Sequence, residues 1–430
     1  MRRALIRHVR EVFVPPPGRA AAIDGLRALA ILMVVAFHCV FLAYYVLDGN
    51  EAVRRYIEAT PAWLVWVWNG DKGVDLFFVL SGFLISRALL REIDAHQRIN
   101  YRRFMANRLL RIVPLYVAVL ALGAAVGMPN SEYFWANLLF VNNWLEVERM
   151  FIPWSWSVTI EMQFYLLAPL LVWAIHHRGQ GAPAWLLVLI LAGMVGRAMV
   201  FMIHPEYASA TLHDSLTGNR ALGVEVWDAL YVNLYTRAGP LLLGMAAAWV
   251  VERHAGSIRA FYARRPGVFN AAVVAALALS TLMLSSALTL TSGESLGSGR
   301  VLIALQWIVG RDVFALGIAV ILVAAFLGLG VGRWLDWFLS ARIWFPIAQV
   351  SYSIYFLHIF FVGAAYHLLY GGERTAALGL GELGFVFVFT LLGSFAAAVV
   401  TFALIERPFL HLKRKGAAAV PRAVVQTEAA

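Results

Sequence analysis

Charged residues are scarce in this sequence. Of its 430 residues, 14% are Asp, Glu, Lys or Arg and 61% are hydrophobic, whereas soluble domains average about 25% charged residues. The mean hydropathy is +0.73. A chain with so few charges cannot cover its own surface with polar groups, so lipid must cover it. The composition therefore excludes a soluble protein and indicates an integral membrane protein.

Cysteine is almost absent as well. The single cysteine, Cys39, lies inside an apolar run. One cysteine cannot form an internal disulfide or a thiolate metal site. We also predict no metal site of other ligands and no bound cofactor. Acidic residues are also few, since 25 Asp and Glu face 35 Lys and Arg. The basic residues lie between the apolar runs, which is typical of loops facing anionic lipid and argues against a nucleic-acid partner.

Long apolar runs make up most of the chain. A helix needs about 20 residues to cross a bilayer. Ten candidate spans can be identified, at residues 23–47, 74–90, 112–127, 156–175, 183–203, 229–251, 268–290, 304–329, 343–369 and 381–405. The second and third runs are short, and Arg311 and Asp312 interrupt the eighth, so its helix is expected to start near Val313. The pattern predicts an all-α polytopic membrane protein.

The distribution of basic residues predicts the orientation. If the N-terminus is cytoplasmic, most Lys and Arg residues fall in cytoplasmic loops and tails, as the positive-inside rule requires. Both termini are therefore predicted to be cytoplasmic. We divide the chain into a basic tail at 1–19, a membrane domain at 20–412 and a second tail at 413–430, and we expect both tails to be disordered.

The first span carries three ionisable residues, Asp24, Arg27 and His38. Such residues are costly inside a membrane and are usually functional. Arg27 and His38 are eleven residues apart, close to three helical turns, so they share a face and lie roughly 16 Å apart along the axis. We expect Arg27 at the cytoplasmic edge of the bilayer and His38 near its outer surface.

Other spans place polar side chains near the depth of His38. Counting residues from the span ends puts Glu161 and His358 at this depth. The further polar residues expected near them are Asp75, Ser157 and Tyr355. We predict one polar chamber, in which an imidazole and a carboxylate perform acid–base chemistry. The alternative is that these groups pair across helices as packing contacts.

Basic residues cluster where the third span begins. Arg108 and Arg111 are three residues apart and point the same way. Together with Arg27 they are suited to gripping phosphate oxygens, because each guanidinium offers paired donors. Contact with lipid head groups explains the same pattern equally well.

Six motifs resemble those of one family of membrane enzymes. They are Ile23-Asp24-Gly25-Leu26-Arg27 with Phe37-His38; Gly73-Val74-Asp75-Leu76-Phe77-Phe78; Phe104 with Arg108, Arg111 and Pro114; Trp154-Ser155-Trp156-Ser157 with Glu161 and Tyr165; Ser351-Tyr352-Ser353 with Leu357-His358; and Glu406-Arg407-Pro408-Phe409. In this order and over nearly the whole chain, they resemble the acyltransferase 3 family.

The resemblance implies a reaction and a set of functional residues. Members commonly take acetyl from cytosolic acetyl-CoA and deliver it to a hydroxyl acceptor, often a glycan on the outer side of the bacterial inner membrane. It implies that His38 is the essential histidine, paired with Arg27, that Arg108 and Arg111 are the basic pair, and that Glu161 is the acidic residue. Some members carry an additional C-terminal esterase-like domain. The chain stops shortly after Phe409, so we expect this step to be absent or supplied by a separate periplasmic acyl-accepting protein.

The expected mechanism has two versions. In both, the CoA phosphates bind the arginines and the pantetheine arm reaches toward His38. His38 then acts either as a general base for the acceptor hydroxyl or as a nucleophile that carries the acyl group. Glu161 would orient His38. The candidate donors to the developing oxyanion are Ser81, Tyr165 and Tyr355.

Two other classes of membrane protein remain as alternatives. A secondary transporter or glycan flippase also places polar groups near the membrane midplane, but no internal repeat is visible in this chain. A structural or scaffolding protein would not account for polar groups at one depth. The sequence does not define the acceptor, which we expect the outer loops 204–228 and 291–300 to select.

Overall fold

The fold consists of helices joined by short loops. The computed structural model describes residues 2–218, 220–291 and 299–417, and in these ranges the only β-pairing is one isolated bridge between Leu47 and Thr375. The helices of eight or more residues are α1 (Arg2–Phe13), α2 (Ala21–Phe41), α3 (Gly49–Glu58), α4 (Lys72–His96), α5 (Tyr101–Ala125), α6 (Trp156–Arg178), α7 (Ala182–Ile203), α8 (Arg220–Leu230), α9 (Leu234–Arg264), α10 (Pro266–Leu284), α11 (Arg300–Leu327), α12 (Gly332–Leu339), α13 (Ser351–Tyr370), α14 (Leu380–Thr401) and α15 (Arg407–Ala417).

Nine helical stretches of the described chain are long and apolar enough to cross a membrane. One of them, Pro153–Ile203, is 51 residues long and contains both α6 and α7, which a turn at Gly179–Gly181 separates. Each of the ten predicted spans therefore coincides with a long helix, and the all-α polytopic fold is confirmed. The second and third predicted spans do not form short helices. They lie in α4 and α5, which have 25 residues each and extend beyond the apolar runs through polar turns.

The two ends of the described chain are helical and lie on the same side of the bundle. The expectation of a disordered tail at 1–19 is wrong for Arg2–Phe13, which form α1. His8 Nδ1 lies 3.0 Å from the carbonyl of Ala403, and Glu11 pairs with Arg407. Val12 is fully buried, whereas Leu5, Ile6 and Phe13 remain exposed, so α1 docks through Val12 and the polar contacts of His8 and Glu11. In the second predicted tail, α15 continues to Ala417, and 418–430 lie outside the described residues.

Two glycines allow α4 and α9 to pack with their backbones in contact. A Cβ added at Gly82 would lie 2.1 Å from the carbonyl oxygen of Leu241, and one added at Gly244 would lie 2.1 Å from that of Val79. Small residues of this kind are common where membrane helices cross closely. The close crossing brings the first turns of α4 and α9 together, which positions Asp75 beside Arg237.

Candidate active site

A cavity of about 1300 Å³ opens between α2, α8, α13 and the loops that precede α4 and α6. His38 and Tyr355 line its inner part, and Arg220 and Arg374 lie at its mouth. The predicted acceptor-selecting segment 204–228 supplies much of one wall, whereas residues 292–298 of the other predicted segment lie outside the described residues. A chamber of this size is large enough for a small organic acceptor.

His38 and His358 are in direct contact. His38 Nδ1 lies 3.1 Å from His358 Nε2 and 2.9 Å from the carbonyl oxygen of Val34. His358 Nδ1 lies 3.1 Å from the carbonyl oxygen of Ile354. His358 is fully buried, and the His38 side chain is half-buried at the cavity wall.

These contacts define the tautomers of the neutral pair. A carbonyl oxygen can only accept, so His358 Nδ1 carries the proton and its Nε2 is an acceptor. His38 Nδ1 then faces two acceptors, the Val34 carbonyl and His358 Nε2, and must itself be protonated. Nε2 of His38 is therefore the ring nitrogen with a free lone pair. A general base or a nucleophile needs this tautomer.

Glu161 lies away from this pair. Its carboxylate interacts with Arg27, Arg108 and Tyr165, whereas the hydrogen bonds of His38 go to Val34 and His358. The estimate that placed Glu161 at the depth of His38 assumed that α6 begins at the membrane surface. α6 begins instead at a buried residue, Trp156, so its first residue does not mark the membrane surface and the count had no fixed origin.

The arginines of the predicted phosphate site form a second polar cluster. Arg27 Nη2 donates to Ser351 Oγ at 3.3 Å and interacts with Arg111, Asp24 and Glu161. Asp24 itself pairs with Arg19. Glu406, brought inward by a π-helical segment at Phe402–Glu406, contributes a further carboxylate near Arg27 and Arg111.

Arg108 lies on the same side of the bundle with part of its guanidinium unused. Its Nε is buried and has no hydrogen-bond partner among the described residues. The guanidinium lies 5.6 Å from the ring centre of Phe104 and 5.7 Å from that of Tyr165. Arg111 is exposed. The cluster therefore has spare donors, whichever anion it binds.

Hydroxyl groups occupy the space between the arginine cluster and the His38–His358 pair. Ser81 Oγ lies 3.3 Å from the Tyr165 hydroxyl, and Ser157 Oγ lies 2.6 Å from the Tyr355 hydroxyl. The Tyr355 hydroxyl donates to the carbonyl of Trp154, so Ser157 is the donor in the second pair. The predicted polar residues thus form a column from the arginines to His38, with Glu161 beside the arginines rather than beside His38.

A charged network that the sequence did not assign lies beside His38. Arg311 donates to Asp71 at 2.5 Å and to Asp75 at 2.7 Å, and the Tyr231 hydroxyl donates to Asp71 at 3.1 Å. Arg237 lies 2.9 Å from the second oxygen of Asp75. Asp75 was expected to join the His38 chamber, but it is fully buried behind the cavity wall, where both of its oxygens face arginines.

Asp71 is the acidic group of this network that lines the cavity. Burial acts to raise its pKa, but Arg311 and the nearby Lys72 outweigh that effect, so the pKa of Asp71 is lower than usual. The carboxylate is thus ionised. The signal for this residue was present in the polar segment Asn69-Gly70-Asp71-Lys72 directly before the second span.

The eighth span is continuous through its charged residues, so its predicted start near Val313 is wrong. α11 contains a π-helical segment at Gln306–Gly310, which frees backbone carbonyls from the helix. Arg197 Nε donates to one of these carbonyls, that of Ile308, at 2.8 Å. The same guanidinium also donates to the carbonyl of Thr236 and to Asp312. Because both charged residues of this span have buried partners, the helix tolerates them.

Aromatic rings line the rest of the cavity. Two contacts illustrate the row: the ring centres of Phe41 and Trp227 are 5.6 Å apart, and those of Trp227 and Tyr231 are 5.7 Å apart. Trp156 and Trp307 lie next to Tyr231. The cavity thus combines a row of aromatic rings with charged and hydroxyl groups at its base. In the part of the chain that the structure describes, no group of three His, Cys, Asp or Glu residues could hold a metal ion.

Sequence comparisons agree with the resemblance drawn from the motifs. The profile of the acyltransferase 3 family, described as an acyltransferase domain, matches residues 20–399. The chain is 24% identical over 442 residues to the "Regulator of hypoxia-inducible factor 1" of Caenorhabditis elegans, covering 95% of this chain and 83% of that protein. It is 25% identical over 252 residues to the "O-acetyltransferase OatA" of Staphylococcus aureus, covering 54% of this chain and 35% of that protein.

No solved structure matches the chain. The family profile covers most of the sequence, including the three arginines of the phosphate cluster and the His38–His358 pair. The chain therefore belongs to the acyltransferase 3 family and is a multi-pass membrane enzyme that transfers acyl groups.

Proposed function

We propose that the enzyme transfers an acyl group, acetyl by default, from cytosolic acyl-CoA to a hydroxyl of a glycan or lipid-linked sugar. The observation that carries this proposal is His38, which lines an aromatic cavity in the tautomer that leaves Nε2 free. The relative from Staphylococcus aureus is named as an O-acetyltransferase, which supports acetyl and an oxygen acceptor. Membership of an enzyme family sets aside the transporter and scaffold alternatives.

The aromatic cavity is the proposed acceptor site. Sugar rings present C–H groups that pack on aromatic faces, and Phe41, Trp227 and Tyr231 offer such faces in series. On the predicted orientation this cavity opens at the outer face of the bacterial cytoplasmic membrane, which is where we place the reaction.

The arginine cluster is the proposed donor site. Arg27, Arg108 and Arg111 would bind the CoA phosphates, and the unpartnered Nε of Arg108 gives one donor that no described residue uses. Arg27 and His38 are separated by roughly 16 Å along α2. An extended pantetheine arm spans roughly 15–20 Å by chain dimensions, so a thioester held at the arginines would reach His38.

In the direct route, His38 Nε2 accepts the proton of the acceptor hydroxyl as its oxygen attacks the thioester carbonyl. A C–O bond forms, the C–S bond breaks, and the imidazolium returns the proton to the CoA thiolate. His358 Nε2 accepts a hydrogen bond from His38 Nδ1–H throughout, which stabilises the imidazolium. In the covalent route, Nε2 attacks the thioester carbonyl, the C–S bond breaks and CoA leaves as the thiolate, which gives an acyl-imidazolium. The acceptor hydroxyl then attacks the acyl carbon, a C–O bond forms as the C–N bond breaks, and the hydroxyl proton passes to the released Nε2 and from there to the CoA thiolate.

Ser81, Tyr165 and Tyr355 remain the candidate donors to the oxyanion. The Tyr355 proton is already committed to the Trp154 carbonyl. The Ser81–Tyr165 pair lies deeper in the column, nearer the direction from which the thioester would come. This favours Ser81 or Tyr165 over Tyr355 for stabilising the thioester oxygen.

Acetyl transfer in membranes tests the proposed function. Membranes containing the enzyme are given labelled acetyl-CoA, and alkali-labile label in the glycan fraction is measured together with CoA thiol release. We expect Arg108→Gln to raise the KM for acetyl-CoA by about 10-fold, since a charged hydrogen bond to phosphate is lost. Arg102→Gln is the matched control, because Arg102 is exposed on the same helix. If the wild type yields no label in the glycan fraction and releases no CoA thiol, the proposal is contradicted.

Replacement of His358 tests how His38 is held. His358→Phe removes one of the two acceptors at His38 Nδ1 and leaves the Val34 carbonyl. We expect kcat to fall by about 10-fold or more with little change in KM, because the imidazolium that forms on His38 loses the acceptor that stabilises it. His358→Gln keeps an acceptor oxygen and should recover part of the loss. His367→Phe, at an exposed position of the same helix, is the control. Equal loss in the Phe and Gln variants would instead indicate a packing role.

A further inference from the structure

Lys72 is a buried cation with no carboxylate in direct contact among the described residues. Its side chain is 4% exposed, and it lines the same cavity as His38. The ammonium donates to Asn69 Oδ1 at 2.7 Å, and Asn69 is neutral. Lys72 forms no ion pair with any carboxylate of the described residues. An ammonium has three protons to donate, so this contact leaves donor capacity unused.

The neighbouring charges do not neutralise Lys72. The network beside it contains two carboxylates, Asp71 and Asp75, and two arginines, Arg237 and Arg311, which pair with them. Adding Lys72 leaves three cations against two anions, an excess of one positive charge. The adjacent Arg197–Asp312 pair is balanced and does not change this count. A buried excess charge is costly unless a ligand of opposite charge compensates it.

The backbone places the segment that carries Lys72 against α2, between one and about two helical turns before His38. A Cβ added at Gly70 would lie 2.5 Å from the carbonyl oxygen of Met33 and 3.1 Å from Cβ of Phe37, and one added at Gly73 would lie 2.5 Å from the carbonyl oxygen of Ala30. The segment that carries Lys72 is thus pressed against α2 in the turns that precede His38.

We propose that Lys72 forms an anion subsite in the acceptor cavity, which binds a carboxylate or phosphate group of the acceptor sugar. The inference rests on the proposed acceptor site. It narrows the acceptor class to acidic saccharides: the negative group binds Lys72, with Arg311 as the cation behind it, and a nearby hydroxyl of the same sugar faces His38. Neutral sugars would enter the same aromatic cavity but leave the positive charge uncompensated.

Binding to the purified enzyme tests the subsite without requiring acyl transfer. Methyl glucuronoside, glucose 1-phosphate and methyl glucoside are titrated against tryptophan fluorescence, since Trp156, Trp227 and Trp307 line the cavity. We expect at least one of the two acidic probes to bind about 10-fold more tightly than methyl glucoside. Which of them does so identifies the carboxylate or the phosphate as the recognised group.

Two variants show whether Lys72 causes the preference. Lys72→Gln should abolish it and leave methyl glucoside binding unchanged, which also shows that the variant is folded. Arg374→Gln removes an exposed cation at the cavity mouth and should keep the preference. Equal binding of all three probes by the wild type, or a preference that persists in Lys72→Gln, would overturn the subsite.

The outcomes separate this inference from the proposed function. A Lys72-dependent preference for acidic probes in an enzyme that fails to transfer acetyl groups would support the subsite and contradict the proposed reaction. Acetyl transfer with no such preference would retain the reaction and remove the subsite.

Discussion

Replacement of His38 by alanine is expected to lower acyl transfer by at least about 100-fold, the lower end of what a positioned acid–base group contributes. The reason is geometric. His38 Nδ1–H is held by Val34 and His358, so Nε2 is the only ring nitrogen left to accept a proton or attack the thioester. The measurement is acetyl ester formed from labelled acetyl-CoA, with the amount of folded protein determined in parallel.

His367→Ala is the matched control for this variant. His367 lines the same cavity but is exposed, more than two turns beyond His358 on α13. Its replacement should leave activity nearly unchanged. Equal ester formation by folded His38→Ala and wild type would remove His38 from the mechanism. Quenching the wild type with labelled acetyl-CoA and no acceptor then separates the two routes, since label on His38 supports the covalent route and its absence under turnover conditions supports the direct one.

Replacement of Arg197 by methionine is expected to destabilise the fold by about 3–5 kcal/mol, the usual cost of leaving one partner of a buried ion pair alone. Arg197 is 4% exposed and binds Ile308, Thr236 and Asp312, so it connects α7, α9 and α11 through one guanidinium. Its loss leaves the buried Asp312 carboxylate without its arginine. Thermal unfolding in detergent measures the effect.

The double variant Arg197→Met with Asp312→Asn provides the decisive comparison. Removing both charges should recover part of the lost stability, because no uncompensated carboxylate remains. Arg259→Met, at an exposed position on α9, controls for the loss of an arginine as such. If Arg197→Met unfolds at the temperature of Arg259→Met, the pair contributes nothing to stability, and the π-helical segment would require another explanation.

Much of the fold could be predicted from the sequence because the bilayer imposes a length on each helix. All ten apolar runs lie in long helices. The wrong predictions of helix bounds concern segments with charged residues. Arg311 and Asp312 suggested a break in the eighth span, yet each has a buried partner of opposite charge. Residues 2–13 suggested disorder, yet they form a helix in which His8 contacts Ala403 and Glu11 pairs with Arg407. Single-chain hydropathy contains no information about such partners.

The candidate site was only partly predictable for the same reason. The spacing of Arg27 and His38 follows from helix geometry within one span, and the depth count placed His38 and His358, 320 residues apart, at one level where the structure shows their nitrogens 3.1 Å apart. The count failed for Glu161 because it took the first residue of α6 to be at the membrane surface. Lys72 and Asp71 escaped notice because a polar segment before a span is normally an exposed loop.

The sequence by itself determined the class of protein, the number and approximate bounds of the membrane helices, and the two polar groups of the first span. These depend on local quantities, namely hydropathy, length and rise per residue. Only the tertiary structure decided that His358 contacts His38, that Glu161 belongs with the arginines, and that Lys72 is buried beside the catalytic candidate. Apolar surface does not select which faces of lipid-covered helices meet, because lipid solvates those faces equally well. Close packing at small residues and pairing of buried charges select them, and both are properties of the assembled bundle.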